Sequence, residues 1–134
     1  MNIETFDDLL KAAREQQQPQ RLLFVFAAVE LPDDATADQR AGFERGQGGA
    51  LVPQMCVDKA PEELASFADL VAEAALFGKP WGMVFAAAMS GTPGKALTTT
   101  DADQPLERMV ESIKQGQIGA FIPFDPQGQA VNLG

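Results

Sequence analysis

Two stretches, RLLFVFAAV (residues 21–29) and MVFAAAM (residues 83–89), are apolar almost without interruption. Successive side chains of a strand point to opposite faces, so a strand with one wet face alternates apolar and polar residues. An unbroken run therefore predicts a strand covered on both faces, the pattern of parallel sheets. Two further strand-like segments, residues 50–58 and 118–124, carry Pro53 and Pro123. Proline cannot donate to a ladder and belongs at a sheet edge or a bulge.

Helical spacing fills the intervals. Thr5 followed by Asp7 and Asp8 marks a helix start, and Phe6, Leu9, Leu10 and Ala13 then share a face. Thr36 precedes a short helix closed by Gly46. Pro61-Glu62-Glu63 opens a helix carrying Leu64, Phe67, Leu70, Val71 and Ala74. Asp103 can cap another from Pro105 through Leu106, Met109, Val110 and Ile113 to Gly116. This alternation predicts an α/β fold: a single mixed, mostly parallel central sheet of about five strands flanked by about four helices. Right-handed crossovers give the order 2-1-3-4, with the two proline-free strands central. Residues 130–133 are expected to fold back beside the fourth strand.

The chain also repeats itself. GQGGALVP (46–53) returns as GQIGAFIP (116–123), VFAA (25–28) returns at 84–87, and Phe6-Asp7-Asp8-Leu9-Leu10 is echoed by Phe67-Ala68-Asp69-Leu70-Val71. Their common order points to an internal α-β-α-β duplication within one globular domain, residues 1–134, with halves of about 1–60 and 61–134. Gly46 and Gly116 are expected at helix ends, in the left-handed conformation that closes them. The Gly49-Ala50 and Gly119-Ala120 pairs are expected to let the chain pass close to those ends.

Composition removes several function classes. Ten basic residues against 19 acidic ones leave a net charge of −9. Nucleic-acid binding rests on Lys and Arg neutralising phosphates, and docking to anionic membranes needs the same charge, so neither is expected. The single cysteine, Cys56, allows no intrachain disulfide and no thiolate metal cage. With no histidine and no tyrosine, imidazole general-base catalysis, Ser-His or Cys-His nucleophiles and histidine metal sites are all excluded. No cofactor is expected. The N-terminus is acidic and lacks a signal-peptide core, so a cytoplasmic location is expected.

In the mostly parallel arrangement a crevice should open at the carboxyl ends of the central strands, between residues 29–34 and 89–95. Its candidate ligand-binding residues are Glu30, Ser90, Gly91, Thr92, Gly94 and Lys95. The stretch SGTPGK contains Gly-x-x-Gly-Lys, but Ala96 stands where a phosphate loop needs Ser or Thr. A flexible polar loop is the plainer reading. Cys56 is expected to be a buried or half-buried structural thiol, packed as a small hydrophobe; as a nucleophile it would have only Lys59 nearby in sequence. Glu30, Asp33, Asp34 and Asp58 could gather around a divalent cation, although turns and helix capping account for them. Trp81 is expected to cap the core.

RLLFVFAAVELPDDAT, GQGGALVPQMCVDKAPEEL and IGAFIPFD resemble a family of small uncharacterised proteobacterial proteins often labelled ribonucleotide reductase subunit alpha. The resemblance spans the chain and implies no catalytic residues. Radical nucleotide reduction needs a thiyl cysteine and, in its aerobic form, a reducing pair beside it, and one cysteine cannot supply three. The strand, proline and acidic helix start are also similar to the N-terminal domain of the serine-sensitivity-enhancing protein family. Function is expected to be non-enzymatic: a domain that binds a protein partner or assembles with itself. The alternative is a small-ligand or anion-binding domain, conceivably an enzyme, using the crevice.

Overall fold

The computed structural model describes residues 3–30, 36–44, 50–78, 80–92, 94–95 and 97–131. In chain order these form α1 (Phe6–Arg14), β1 (Gln20–Glu30), α2 (Ala37–Glu44), β2 (Ala50–Lys59), α3 (Phe67–Ala75), β3 (Met83–Ser90), α4 (Thr99–Lys114) and β4 (Ile122–Phe124), with a 3-10 turn at Pro61–Glu63. The strands make one sheet in the order β2-β1-β3-β4.

Strand order and centrality follow the expectation from the prolines, but strand direction does not. Among the described residues every pairing is antiparallel, and the sheet has four strands rather than about five. The expected mostly parallel sheet is thus corrected. β1 is buried at every residue from Arg21 to Ala27, which is what its unbroken apolar run requires. That burial comes from helices on both faces, and a sheet covered on both sides reads the same in sequence whichever way its strands run. The chain folds back beyond β4 only as a bridge, Phe124 opposite Ala130, with Val131 N–H donating to the Pro123 carbonyl at 3.0 Å.

Side-chain parity divides β1 between two cores. Leu22, Phe24 and Phe26 pack with Phe6, Leu9 and Leu10 of α1, Leu70 and Ala74 of α3, and Val84, Ala86 and Phe124. Leu23, Val25 and Ala27 pack with Phe85 and with Ala102, Leu106, Met109 and Ile113 of α4. The echoed Val-Phe dipeptides face each other at the centre, Val25 opposite Phe85 and Phe26 opposite Val84. α1 and α3 contribute to the same core cluster, on one face of the sheet. Trp81 is half-buried and meets Phe26 edge-on, with ring centroids 4.9 Å apart.

Local chemistry sets the helix boundaries. Thr5 and Asp8 form a reciprocal capping box at α1. The helix expected from Pro61 through Ala74 is instead broken at Leu64, whose backbone is extended. Glu63 accepts from Ala60 N–H, and the Arg14 guanidinium takes the Pro61 and Leu64 carbonyls, so a single turn closes on itself before α3 begins. Likewise α4 starts at Thr98, not Asp103, because Thr98 and Asp101 make a second capping box. This leaves Pro105 inside the helix. Gly116 ends α4 with φ +76°, as expected of a left-handed closing residue. At Gly119, by contrast, an added Cβ would meet nothing within 4 Å, so close packing does not dictate that small residue. Residues 31–35, Gly46, Gly49, Ala96 and Leu133 lie outside the described residues.

Both prolines fall in edge strands. Pro53 stands opposite Ala27, and the register then slips so that Met55 faces Phe26 and Gln54 bulges out. Pro123 stands opposite Phe85. Among the described residues, no helix is long and apolar enough to cross a membrane.

Candidate functional site

Antiparallel pairing separates the residues nominated for a crevice. Gln20 pairs with Ser90, whereas Glu30 lies ten residues along β1 and pairs with Ala50. At about 3.3 Å per residue, Glu30 and Ser90 stand roughly 30 Å apart at opposite ends of the sheet. The carboxyl ends of the two central strands therefore open no common cleft.

The other nominated residues do converge. Ser90, Gly91, Thr92 and Lys95, with Leu97 and Asp101, line a depression of about 260 Å³ beside the start of α4. Gly94 is close by, at φ +78° in a turn where Lys95 N–H donates to the Thr92 carbonyl at 3.0 Å. The loop is sewn to the sheet by Gln20 Nε2 donating to Ser90 Oγ at 2.8 Å and by Gly91 N–H donating to the Pro19 carbonyl at 2.8 Å. A Cβ on Gly91 would come within 2.7 Å of the Lys95 carbonyl oxygen, so the loop closes only around a glycine.

This depression is poorly made for an anion. A helix N-terminus attracts anions through its free N–H groups, but here Asp101 N–H donates to Thr98 Oγ1 at 3.2 Å. The Asp101 carboxylate meanwhile accepts from Thr98 N–H at 2.9 Å and from the Thr98 hydroxyl at 3.1 Å. Those hydrogen bonds first, and then the Lys95 and Arg21 charges, hold its carboxyl below the ordinary value. A phosphate would meet an ionised carboxylate beside Lys95.

Beneath the loop lies the one polar side chain buried among the described residues, Arg21. Arg21 Nε donates to Asp58 Oδ2 at 2.6 Å, Nη2 to Thr99 Oγ1 at 3.0 Å and Nη1 to the Leu97 carbonyl at 3.3 Å, with Glu63 Oε1 at 3.7 Å. Thr99 in turn donates to Asp58 at 3.0 Å. Asp58, counted by sequence among possible cation ligands, is thus a structural partner of Arg21, and it ties β1, β2 and the start of α4 together. Asp33 and Asp34 lie outside the described residues, and no group of three metal-ligating side chains forms among those described. An arginine heading an apolar run is the signal that would have found this clasp. Its partner, 37 residues away, carries no local mark.

A second concavity, of about 510 Å³, runs between β2 and α4. Cys56, Leu106 and Val110 form its apolar part, while Asp103, Glu107 and Glu111 line one flank of α4 at successive turns. Cys56 is exposed, which corrects the expectation of a packed structural thiol. The cause is its position: as the partner of Val25 on an edge strand, it lies beyond the covered centre of the sheet. Partial burial against the groove, and then the Asp58 carboxylate two residues on, push its thiol above the ordinary value. That is the reverse of what a nucleophile needs.

Along β2, residues 51–55 and 57–59 are neither fully buried nor fully exposed, and among the described residues no strand pairs with the side facing away from β1. The edge and the groove beside it make a continuous surface that neither hydropathy nor motifs indicate. Comparison of the chain with protein-family models, curated proteins and solved structures finds no match.

Proposed function

We propose that this chain is a protein-interaction domain whose docking surface is the outer edge of β2 with the groove between β2 and α4. The carrying observation is the outer edge of β2, a ten-residue strand unpaired on that side among the described residues and bordered by an apolar floor and a charged wall. Unpaired strand N–H and C=O groups are a template for another backbone, and proteins that leave an edge bare commonly block it or use it. Pro53 and the Gln54 bulge disrupt the first half of the edge, and residues 55–59 continue in regular pairing with β1. Ligand binding at the 90–95 loop is the weaker reading, since Asp101 opposes an anion there.

A photoreactive cross-linker on Cys56 tests this directly. The expected result is capture of a defined protein which, once purified, binds the unlabelled chain saturably and shields Cys56 from alkylation. If no captured protein re-binds, and phosphate or nucleotide instead shifts the amides of residues 90–95, the domain is a ligand binder.

A further inference from the structure

Resting on the interaction reading, the geometry points to one class of partner: we infer that β2 takes up an extended, basic, proline-free segment of another protein as an added antiparallel strand. The argument starts from backbone groups. Residues 55–59 keep regular register with β1, so their outward N–H and C=O groups follow the spacing that a fifth strand requires. A strand added there would project every second side chain toward the α4 side of the sheet, because residues of a strand alternate between faces.

The charge on that side selects the occupant. Asp103, Glu107 and Glu111 recur at four-residue intervals on the flank of α4 that borders the groove, and all are exposed. Lys114 Nζ approaches Glu111 Oε1 at 3.6 Å and offsets part of one of these charges. The neighbouring charges of β2 are already matched, Asp58 by Arg21 and Lys59 by Glu73 at 2.8 Å. Among the described residues, the uncompensated charge facing the groove is therefore negative. The opposite flank of α4, which carries Pro105, Arg108 and Ser112, faces Ala87 and Phe121 and lacks this character.

The same charges disfavour a second copy. Two-fold pairing of β2 with itself would bring two acidic flanks together in a chain already at −9. Like charges juxtaposed across an interface are costly, and opposite charges steer association. Lys or Arg at alternate positions of the incoming strand would face the carboxylates, and small apolar residues would face the other side.

The test uses the full chain and a synthetic nine-residue alternation of lysine and valine, followed by amide NMR at physiological salt. Two N-methylated versions, each blocking alternate backbone N–H groups, and a glutamate-valine counterpart complete the set. Expected are shifts confined to residues 55–59 and 103–111, roughly tenfold weaker binding for one N-methylated version only, and no binding of the acidic peptide. The exposed substitutions Glu107→Gln and Glu111→Gln together should weaken binding roughly tenfold at low salt and less at high salt. Equal binding of both N-methylated versions, equal binding of the acidic peptide, shifts elsewhere, or no binding at all would overturn the inference. A Cys56-captured partner that re-binds without a basic strand would overturn it too, while leaving the interaction reading intact.

Discussion

Arg21 Nη2 lies 2.5 Å from Asp58 Oδ2, and both side chains are nearly nine-tenths buried. One partner comes from the first residues of β1 and the other from the end of β2, and the same guanidinium holds Leu97 and Thr99. This contact fixes the start of α4 over the sheet and so shapes both the loop depression and the groove.

Removing either partner strands the other. Arg21→Ala or Asp58→Ala is expected to cost about 3–5 kcal/mol, the range for breaking a buried pair, measured by urea unfolding. Arg21→Lys should recover little, because an ammonium cannot reproduce the fork that reaches Asp58 and Thr99 together. The apolar double variant Arg21→Met with Asp58→Leu should recover much of the loss. Single variants as stable as the wild type would show that the clasp is incidental.

Phe26 and Gln54 lie at neighbouring places in the β1–β2 ladder with opposite environments. Phe26 is fully buried against Trp81, whereas Gln54 is the bulged residue of an edge strand. Phe26→Ala should destabilise by about 3–5 kcal/mol. Phe26→Asp should abolish folding, while Gln54→Asp should stay within about 0.5 kcal/mol of the wild type. Thermal melts distinguish these outcomes, and comparable losses at both positions would contradict the sheet order.

Cys56 should be accessible but slow. Because its thiol is raised above its ordinary value, alkylation by iodoacetamide at neutral pH should run slower than for an unstructured cysteine peptide. The rate should rise with the thiolate fraction, and the midpoint of its pH profile should lie above the ordinary thiol value of 9.0. A rate profile centred below that value would mean that the groove activates the thiol.

Acid should loosen the helix caps. Asp8 is held below its ordinary 3.8 chiefly by the backbone N–H groups of Glu4 and Thr5, and Asp101 is held below the same value by Thr98. A carboxyl depressed in the folded state contributes stability that is fully present above the unfolded value and lost as pH falls through the folded one. Melting temperature should therefore fall as pH drops below about 4. Asp8→Asn with Asp101→Asn should flatten part of that slope while lowering the plateau near neutral pH. An unchanged slope would place the acid sensitivity elsewhere.

The candidate site was far less legible in the chain than the fold was. Ser90, Gly91, Thr92 and Lys95 are neighbours in sequence, so any compact loop brings them together. Glu30 was joined to them only by assuming parallel strands, and the antiparallel register moved it to the far end of β1. Cys56 meets Leu106 and Val110 across 50 residues or more, a juxtaposition set by which strand α4 covers. The two capping boxes show the same division. Thr5 with Asp8 is legible because nothing nearby competes with it, whereas Thr98 with Asp101, equally local, competes in sequence with Asp103 three residues before a buried position; in the fold the Thr98 capping box forms, beside the Leu97 carbonyl held by Arg21.

The sequence by itself marked the four segments that hold strands, although the last pairs only over residues 122–124 of the expected 118–124 and the expected fifth is reduced to a bridge. It also determined that the two proline-free strands lie inside and the two proline-bearing strands outside, and where α1 begins. These depend on burial, on a missing N–H and on side chains a few residues apart, all of which are written locally. Tertiary structure alone decided that the strands run antiparallel, that Arg21 meets Asp58, and that β2, unpaired on its outer side among the described residues, borders an acidic helix flank. Hydropathy records how deeply a strand is covered but not its direction, so every relationship that depends on direction waited for the folded chain.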